Sequence, residues 1–266
     1  MEGYLKFILP PFPWSPGLDV GGVITKLGPE VNPSKWKVGD EVFVKLSLPG
    51  GLQEYILVKE SELVAKAKSI PFEEDVGLGV AGITSLQTIR DYFHLKQGQS
   101  IFINGGTTAT GLFGIQIAKI LGASSISVSC SAKNFDIVKQ LGATEVFDYK
   151  TTNFNEALKG KNFDCYYDTV GNHLQYASIG LKRNGIFVTL YYDSNRSAAS
   201  WISSFLWKKS WSVFGGPSYY FSMPKVRQLQ KCGFFFIGVM LFFNVKNVKN
   251  VIGSIGGFNS AETMGG

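Results

Sequence analysis

The sequence has little of what builds metal centres and disulfide frameworks. Among 266 residues there are three cysteines, Cys130, Cys165 and Cys232, and two histidines, His94 and His173. An odd number of widely separated cysteines excludes a disulfide scaffold and a closely spaced zinc knuckle, and it suits a reducing compartment. The expectation is a cytoplasmic protein. Long hydrophobic runs are also missing. "CGFFFIGVMLFF", Cys232–Phe243, is 12 residues, short of the roughly 18 that a membrane span requires. The N-terminus "MEGYLKFILPPFP" shows no basic region leading into an apolar segment and a small-residue cleavage site, so no secretory signal is read. Acidic residues are scarce in one place: residues 191–266 carry 8 basic and 2 acidic groups, an excess equal to the whole formal charge of +6. No Lys/Arg run interleaves with aromatics, so this excess reads as a solvated basic face able to attract an anionic ligand, rather than as a nucleic-acid surface. Internal repeats and low-complexity linkers are absent.

What is present is glycine and an orderly change of period. There are 31 glycines in a chain that is 45% hydrophobic and 17% charged, the profile of a globular protein with many tight turns. The first ninety residues read as strands and turns: "DVGGVITKLG", "WKVGDEVFVKL" and "GLQEYILVKES" each carry strand character next to a turn signal. "PFEEDVGLGVAGITSLQTIRDYF" has an acidic first turn and apolar residues three and four apart, a helical spacing interrupted at Gly77, Gly79 and Gly82. From residue 100 strands and helices alternate: "SIFIN" then "GLFGIQIAKILG", "SSISVSC" then "NFDIVKQLG", "TEVFDY" then "TNFNEALKG", "FDCYYDTV" then "NHLQYASIGL", and "GIFVTLYY" then a loop and "SVFGG". Strands joined through helices pair in parallel by right-handed crossovers. The pattern predicts an α/β fold with a doubly wound parallel sheet.

The turn between the first of these strands and the first helix is where such a sheet takes a pyrophosphate. Glycine lets the backbone approach the phosphates, and the helix N-terminus offers free N–H groups. The spacing here is Gly105-x-x-Thr108-x-x-Gly111. After the second strand, a dinucleotide fold that accepts ribose hydroxyls places Asp or Glu. This chain has "SVSCSAKN", where Ser131 and Lys133 suit a 2′-phosphate. The reading is NADPH in preference to NADH.

In order, "PGLDVGGVITKLGPEV", "WKVGDEVF", "GLQEYILV", "GLGVAGITSLQTI", "GQSIFINGGTTATGLFGIQIAKILGA", "SAKNFDIVKQLGATEVFDYKTTNF" and "FDCYYDTVGN" resemble the medium-chain dehydrogenase/reductase superfamily, and within it the zinc-free quinone oxidoreductase branch related to zeta-crystallin. The resemblance implies a GroES-like catalytic domain over 1–88, a Rossmann NADPH-binding domain over 89–224 and a return to the catalytic domain over 225–266. It implies that Gly105, Thr107, Thr108, Gly111 and Leu112 lie along the pyrophosphate and that Ser131, Lys133 and Tyr149 surround the 2′-phosphate. Val170, Gly171, Leu190, Tyr191 and Thr84 would border the nicotinamide half. A homodimer, common in the family, would form through the region near "WSVFGG".

The zinc branch has a Gly-His-Glu where this chain has "GLDVGG", and neither histidine stands in a ligand set. The resemblance therefore implies metal-free hydride transfer from NADPH to a quinone or an α,β-unsaturated carbonyl. Tyr4 matches the proton donor of related enoyl thioester reductases, a position that merely lines the pocket in many quinone oxidoreductases. The family pattern also implies strands and an Asn-Pro turn ahead of Glu2 and an amphipathic helix where "KCGFFFIGVMLFFNVKN" stands. The expectation is a chain truncated at both ends, leaving sheet edges unpaired. A nucleotide-binding remnant without turnover and an RNA-binding role are the alternatives.

Overall fold

A computed structural model describes residues 13, 15–171, 173–191 and 218–221. Tyr4, Cys232, the segment "WSVFGG" and the expected return over 225–266 lie outside the described residues. The described chain forms two compact units, one of residues 15–79 and one from residue 80 onward.

In the first unit, strand β1 (Asp19–Val23) pairs antiparallel with β2 (Glu41–Lys45), and β2 pairs antiparallel with β3 (Leu63–Ala65). Ile24, Trp36, Val42, Val44, Leu46 and Leu63 form its core. The strand expected over 51–61 does not form. Both edges of β2 are taken, by β1 and β3, and Leu52, Tyr55 and Leu57 of this segment face solvent. The acidic "FEED" makes a short helix α1 (Phe72–Asp75), followed by a 3-10 turn (Val76–Leu78). At Gly79 the backbone leaves helical space, with ψ −115°, as the glycine spacing predicts, whereas Gly77 lies within the 3-10 turn and Gly82 lies inside the following helix without interrupting it.

The second unit begins with helix α2 (Val80–Gln87). The domain boundary read from the sequence falls after residue 88, whereas the compact units divide between Gly79 and Val80. Helix α2 goes with the second unit because it packs along α3 (Ala109–Ile120), where Ser85 Oγ donates to the Thr110 carbonyl at 2.7 Å. Strands β4 (Ser100–Asn104), β5 (Ser125–Cys130), β6 (Glu145–Asp148), β7 (Phe163–Asp168), β8 (Leu181–Thr189) and β9 (Ser218–Phe221) form one sheet in the order β6-β5-β4-β7-β8-β9, every pair parallel. Helices α3, α4 (Phe135–Leu141), α5 (Phe154–Ala157) and α6 (Leu174–Gly180) make the crossovers. This is the doubly wound fold expected, with a sixth strand at β9 that the sequence reading does not place.

Strands buried on both faces read as near-continuous apolar runs, and β4 is such a strand: Ile101, Phe102 and Ile103 are all fully buried. Phe102 joins Phe154, Phe163, Tyr166 and Phe187 in an aromatic cluster on one face. On the other, α3 lies so close that a Cβ at Gly114 would sit 3.4 Å from Ile103 and Tyr167. Gly122 (φ +77°) and Gly142 (φ +127°) stop α3 and α4 in the left-handed region that glycine tolerates.

At the N-terminal end of the sheet Asp164 ties three strands together. It accepts from Ser100 N–H at 2.9 Å and Ser100 Oγ at 3.1 Å, and Lys182 Nζ lies 2.6 Å from its other oxygen. Burial alone would raise this carboxyl, but the Lys182 and Ser100 hydrogen bonds outweigh it and hold it below the usual range. A depressed folded-state pKa contributes stability above the unfolded value, lost as pH falls through the folded one. Asp164→Asn is expected to cost about 1–2 kcal/mol in urea unfolding at pH 7, a deficit that closes in acid.

Candidate functional site

The strand order reverses between β4 and β7, and the crevice beyond their C-terminal ends is where doubly wound sheets take ligands. Four of the predicted residues meet there with polar partners. Gly105 follows β4 with φ +79°, and a Cβ on it would strike the side chains of Val170 and Thr169. Thr108 is the N-cap of α3: its Oγ1 accepts from Gly111 N–H at 3.0 Å and donates to the Gly105 carbonyl at 2.9 Å. Here Thr108 closes the turn by capping the helix, which explains a threonine at the centre of the glycine spacing. Gly111 lies against the backbone of the turn, since a Cβ there would strike the Gly105 carbonyl oxygen. Leu112 is buried at the base of the same helix turn, its N–H on the Thr108 carbonyl at 2.9 Å.

Three amides in this turn matter most. Among the described residues, none accepts a hydrogen bond from the N–H of Thr107, Ala109 or Thr110. Unpaired N–H groups at the start of a helix of 12 residues suit a phosphate group.

The predicted second group sits one and two strands away. Ser131 and Lys133 leave the end of β5, in a 3-10 turn over Ala132–Asn134. Tyr149 leaves the end of the adjacent β6, its N–H donating to the Cys130 carbonyl at 3.3 Å. Lys133 and Tyr149 are exposed, and Ser131 Oγ accepts from Asn134 Nδ2 at 3.2 Å. Neither residue that directly follows these strands, Ser131 or Tyr149, is acidic. The third group lines the far side: Val170 is exposed, Gly171 is buried at φ +99°, and a Cβ on Gly171 would strike the ring of Tyr191. Leu190 N–H donates to the Asp168 carbonyl at 3.0 Å, and Tyr191 N–H to Thr189 Oγ1 at 3.1 Å. Thr84 is not brought to the turn by its hydroxyl, which donates within α2 to the Val80 carbonyl at 2.5 Å.

Residues 1–69 match the family described as "Alcohol dehydrogenase GroES-like domain", and residues 109–216 that described as "Zinc-binding dehydrogenase". The chain belongs to the medium-chain dehydrogenase/reductase superfamily. It is 37% identical over 158 residues to the "Quinone-oxidoreductase homolog, chloroplastic" of Spinacia oleracea, covering 56% of this chain and 47% of that protein. It is 34% identical over 197 residues to the "2-methylene-furan-3-one reductase" of Solanum lycopersicum, covering 71% and 49%. The chain thus spans about half the length of these curated relatives. The fold is shared with the quinone oxidoreductase from Coxiella burnetii, with a TM-score of 0.73, 22% identity, and coverage of 87% of this chain and 68% of that one.

Within this dehydrogenase/reductase fold, sequence reasoning missed the residues that support the turn. Gly106 is buried with its N–H on the Ser129 carbonyl at 2.8 Å, and a Cβ there would strike Val128. Buried Asn104, Ser129 and Asp168, with half-buried Thr169, form a polar network beneath it. The doubled glycine after β4 is the signal for Gly106; the network had none, since its hydrogen bonds join residues 25 to 65 positions apart. The two described cysteines are core residues. Burial, with Asp148 adding to it, pushes the Cys130 thiol up to about 11, and burial pushes Cys165 up to about 12, so neither presents a reactive thiolate. His173 is half-buried beside the aromatic cluster, with Nδ1 2.8 Å from Tyr166 Oη. Burial lowers its pKa, against the opposing pull of Asp168. No described helix is long and apolar enough to cross a membrane.

Proposed function

We propose that the chain binds NADPH at the Gly105–Gly111 turn and serves as a metal-free oxidoreductase that reduces a quinone or an α,β-unsaturated carbonyl. The observation that carries the reading is the row of amides at Thr107, Ala109 and Thr110 with no acceptor among the described residues. They lie in a turn that Gly105 enters at φ +79° and that Gly111 packs against through its backbone, with no room for a Cβ at either position. Gly105, Thr107, Thr108, Gly111 and Leu112 lie along the pyrophosphate, which accepts from the free amides of Thr107, Ala109 and Thr110. Ser131, Lys133 and Tyr149 take the 2′-phosphate, and Val170, Gly171, Leu190 and Tyr191 flank the nicotinamide half, with Thr84 as a further neighbour. When bound, the nicotinamide supplies a hydride to the electron-poor carbon of the acceptor. The chain aligns the two reactants and excludes water, and Tyr4 is the proposed proton donor to the reduced acceptor. A cytoplasmic location and a homodimer complete the proposal.

The names of the relatives support the acceptor class, as quinone oxidoreductases, enoyl reductases and an enone reductase all occur among them. Titration by nicotinamide fluorescence tests the cofactor. NADPH is expected to bind more tightly than NADH, and Lys133→Ala to weaken NADPH by about tenfold while leaving NADH unchanged, because an exposed lysine acts on the added phosphate alone. No binding of NADPH overturns the proposal. NADPH oxidation with a panel of quinones and enones then tests turnover; binding without oxidation leaves a nucleotide-binding protein and refutes the enzymatic part.

A further inference from the structure

Asp168, the last residue of β7, is 1% exposed. No ion pair holds its carboxylate among the described residues. Hydrogen-bond donors surround it instead. Onto Oδ1 come Asn104 Nδ2 at 2.8 Å, Gly171 N–H at 2.8 Å and Val170 N–H at 3.2 Å. Onto Oδ2 comes Thr189 Oγ1, at 3.4 Å. One side chain therefore joins the end of β4, the turn that leaves β7 and the end of β8. The network continues to the glycine turn: Asn104 Oδ1 accepts from Ser129 Oγ at 2.6 Å, which in turn accepts from Gly105 N–H at 3.0 Å.

The division of labour between the two oxygens is informative. Three donors that cannot reverse, two of them main-chain amides, converge on Oδ1. Oδ2 meets a hydroxyl, which can donate or accept. An asparagine at this position keeps the Oδ1 acceptor and can offer its Nδ2 to Thr189 Oγ1, so the geometry survives loss of the charge. Without an acceptor at this place, the amides of Val170 and Gly171 lose their partner and the left-handed Gly171 loses what holds it against Tyr191.

We propose that Asp168 is a positioning residue that sets the Thr169–Gly171 turn, and with it the nicotinamide half of the cofactor site, by accepting hydrogen bonds rather than by its charge. The inference rests on the cofactor reading above. Two variants separate geometry from charge: Asp168→Asn keeps the acceptor and removes the charge, and Asp168→Glu keeps the charge and moves the acceptor by one methylene. Affinities are measured for NADPH and for adenosine 2′,5′-bisphosphate, which lacks the nicotinamide half, with far-UV circular dichroism as the check on folding.

D168N is expected to bind both ligands within about threefold of the parent chain, and D168E to lose about tenfold or more for NADPH while holding the bisphosphate within about threefold. A D168N chain that loses NADPH affinity as D168E does assigns the effect to charge and overturns the proposal. A D168E chain that keeps parental NADPH affinity, or that weakens both ligands equally, overturns it as well. Should D168E fail to fold, D168N decides: retained NADPH affinity supports the acceptor role, and loss of about tenfold refutes it. Failure of the parent chain itself to bind NADPH overturns the cofactor reading, an outcome distinct from any difference between the variants.

Discussion

Gly111→Ala is expected to lower NADPH affinity by tenfold or more, equivalent to about 1.4 kcal/mol or above. A Cβ at 111 would strike the Gly105 carbonyl oxygen and lie 2.9 Å from Gly106 Cα and 3.0 Å from Gly105 C. All three are backbone atoms, so no side-chain rotation relieves the overlap; the turn itself must move. That displacement carries the Thr107 amide away from where α3 directs it and pulls on the bond from Gly111 N–H to Thr108 Oγ1. Overpacking of this kind also destabilises the fold by about 1–3 kcal/mol, so affinity is compared at a temperature where both chains are folded. Gly22→Ala is the control, because nothing lies within 4 Å of a Cβ there and its φ is not in the left-handed region. A G111A chain that binds NADPH as tightly as its parent would show that the phosphates rest elsewhere.

The parallel sheet was legible because its chemistry is local. "SIFIN" is apolar on both faces since β4 lies between β5 and β7 with helices above and below, and the glycines that end α3 and α4 mark where each helix must stop. The phosphate turn was legible for the same reason: strand, glycine, cap and helix follow within a dozen residues. Contacts that bring distant segments together were not. The Asn104–Asp168 pair joins positions 64 residues apart, and their alignment follows from the parallel register of β4 on β7, which no local pattern reports. "GLQEYILVKES" failed in the opposite sense. Its local character is that of a strand, but among the described residues it pairs with no strand: Leu52, Tyr55 and Leu57 face solvent while Ile56 and Val58 pack on the core of the first unit. The acidic run "FEED" marks a helix start, as read, but its burial had no local signal: Glu74 and Asp75 are each 5% exposed.

That buried acid makes the stability of the first unit fall as pH rises through the weakly acidic range. Burial pushes the Asp75 carboxyl up to about 6, overcoming the nearby Lys66 ammonium and a hydrogen bond from Ala67 N–H. Lys66 is engaged elsewhere, 3.0 Å from Glu41 Oε2 and 4.9 Å from the centre of the Phe72 ring, and Asp75 Oδ2 has no hydrogen-bond partner. Between the ordinary carboxyl value and about 6, the folded state holds a proton that the unfolded chain releases, so unfolding free energy declines with increasing pH across that window. Above it the cost is constant, about 3 kcal/mol at most. Asp75→Asn keeps the shape without the charge. It is expected to flatten the slope between pH 4 and 6 and to stabilise the unit at pH 7–8 by up to that amount. Amide hydrogen exchange at Val42 and Val44 reads this directly, since both lie in β2 at the centre of the unit's sheet. Slower exchange in D75N at pH 7.5, with the difference vanishing near pH 4, is the expected result. Equal protection at both pH values would mean that Asp75 is hydrated in solution and that its carboxyl titrates as in the unfolded chain.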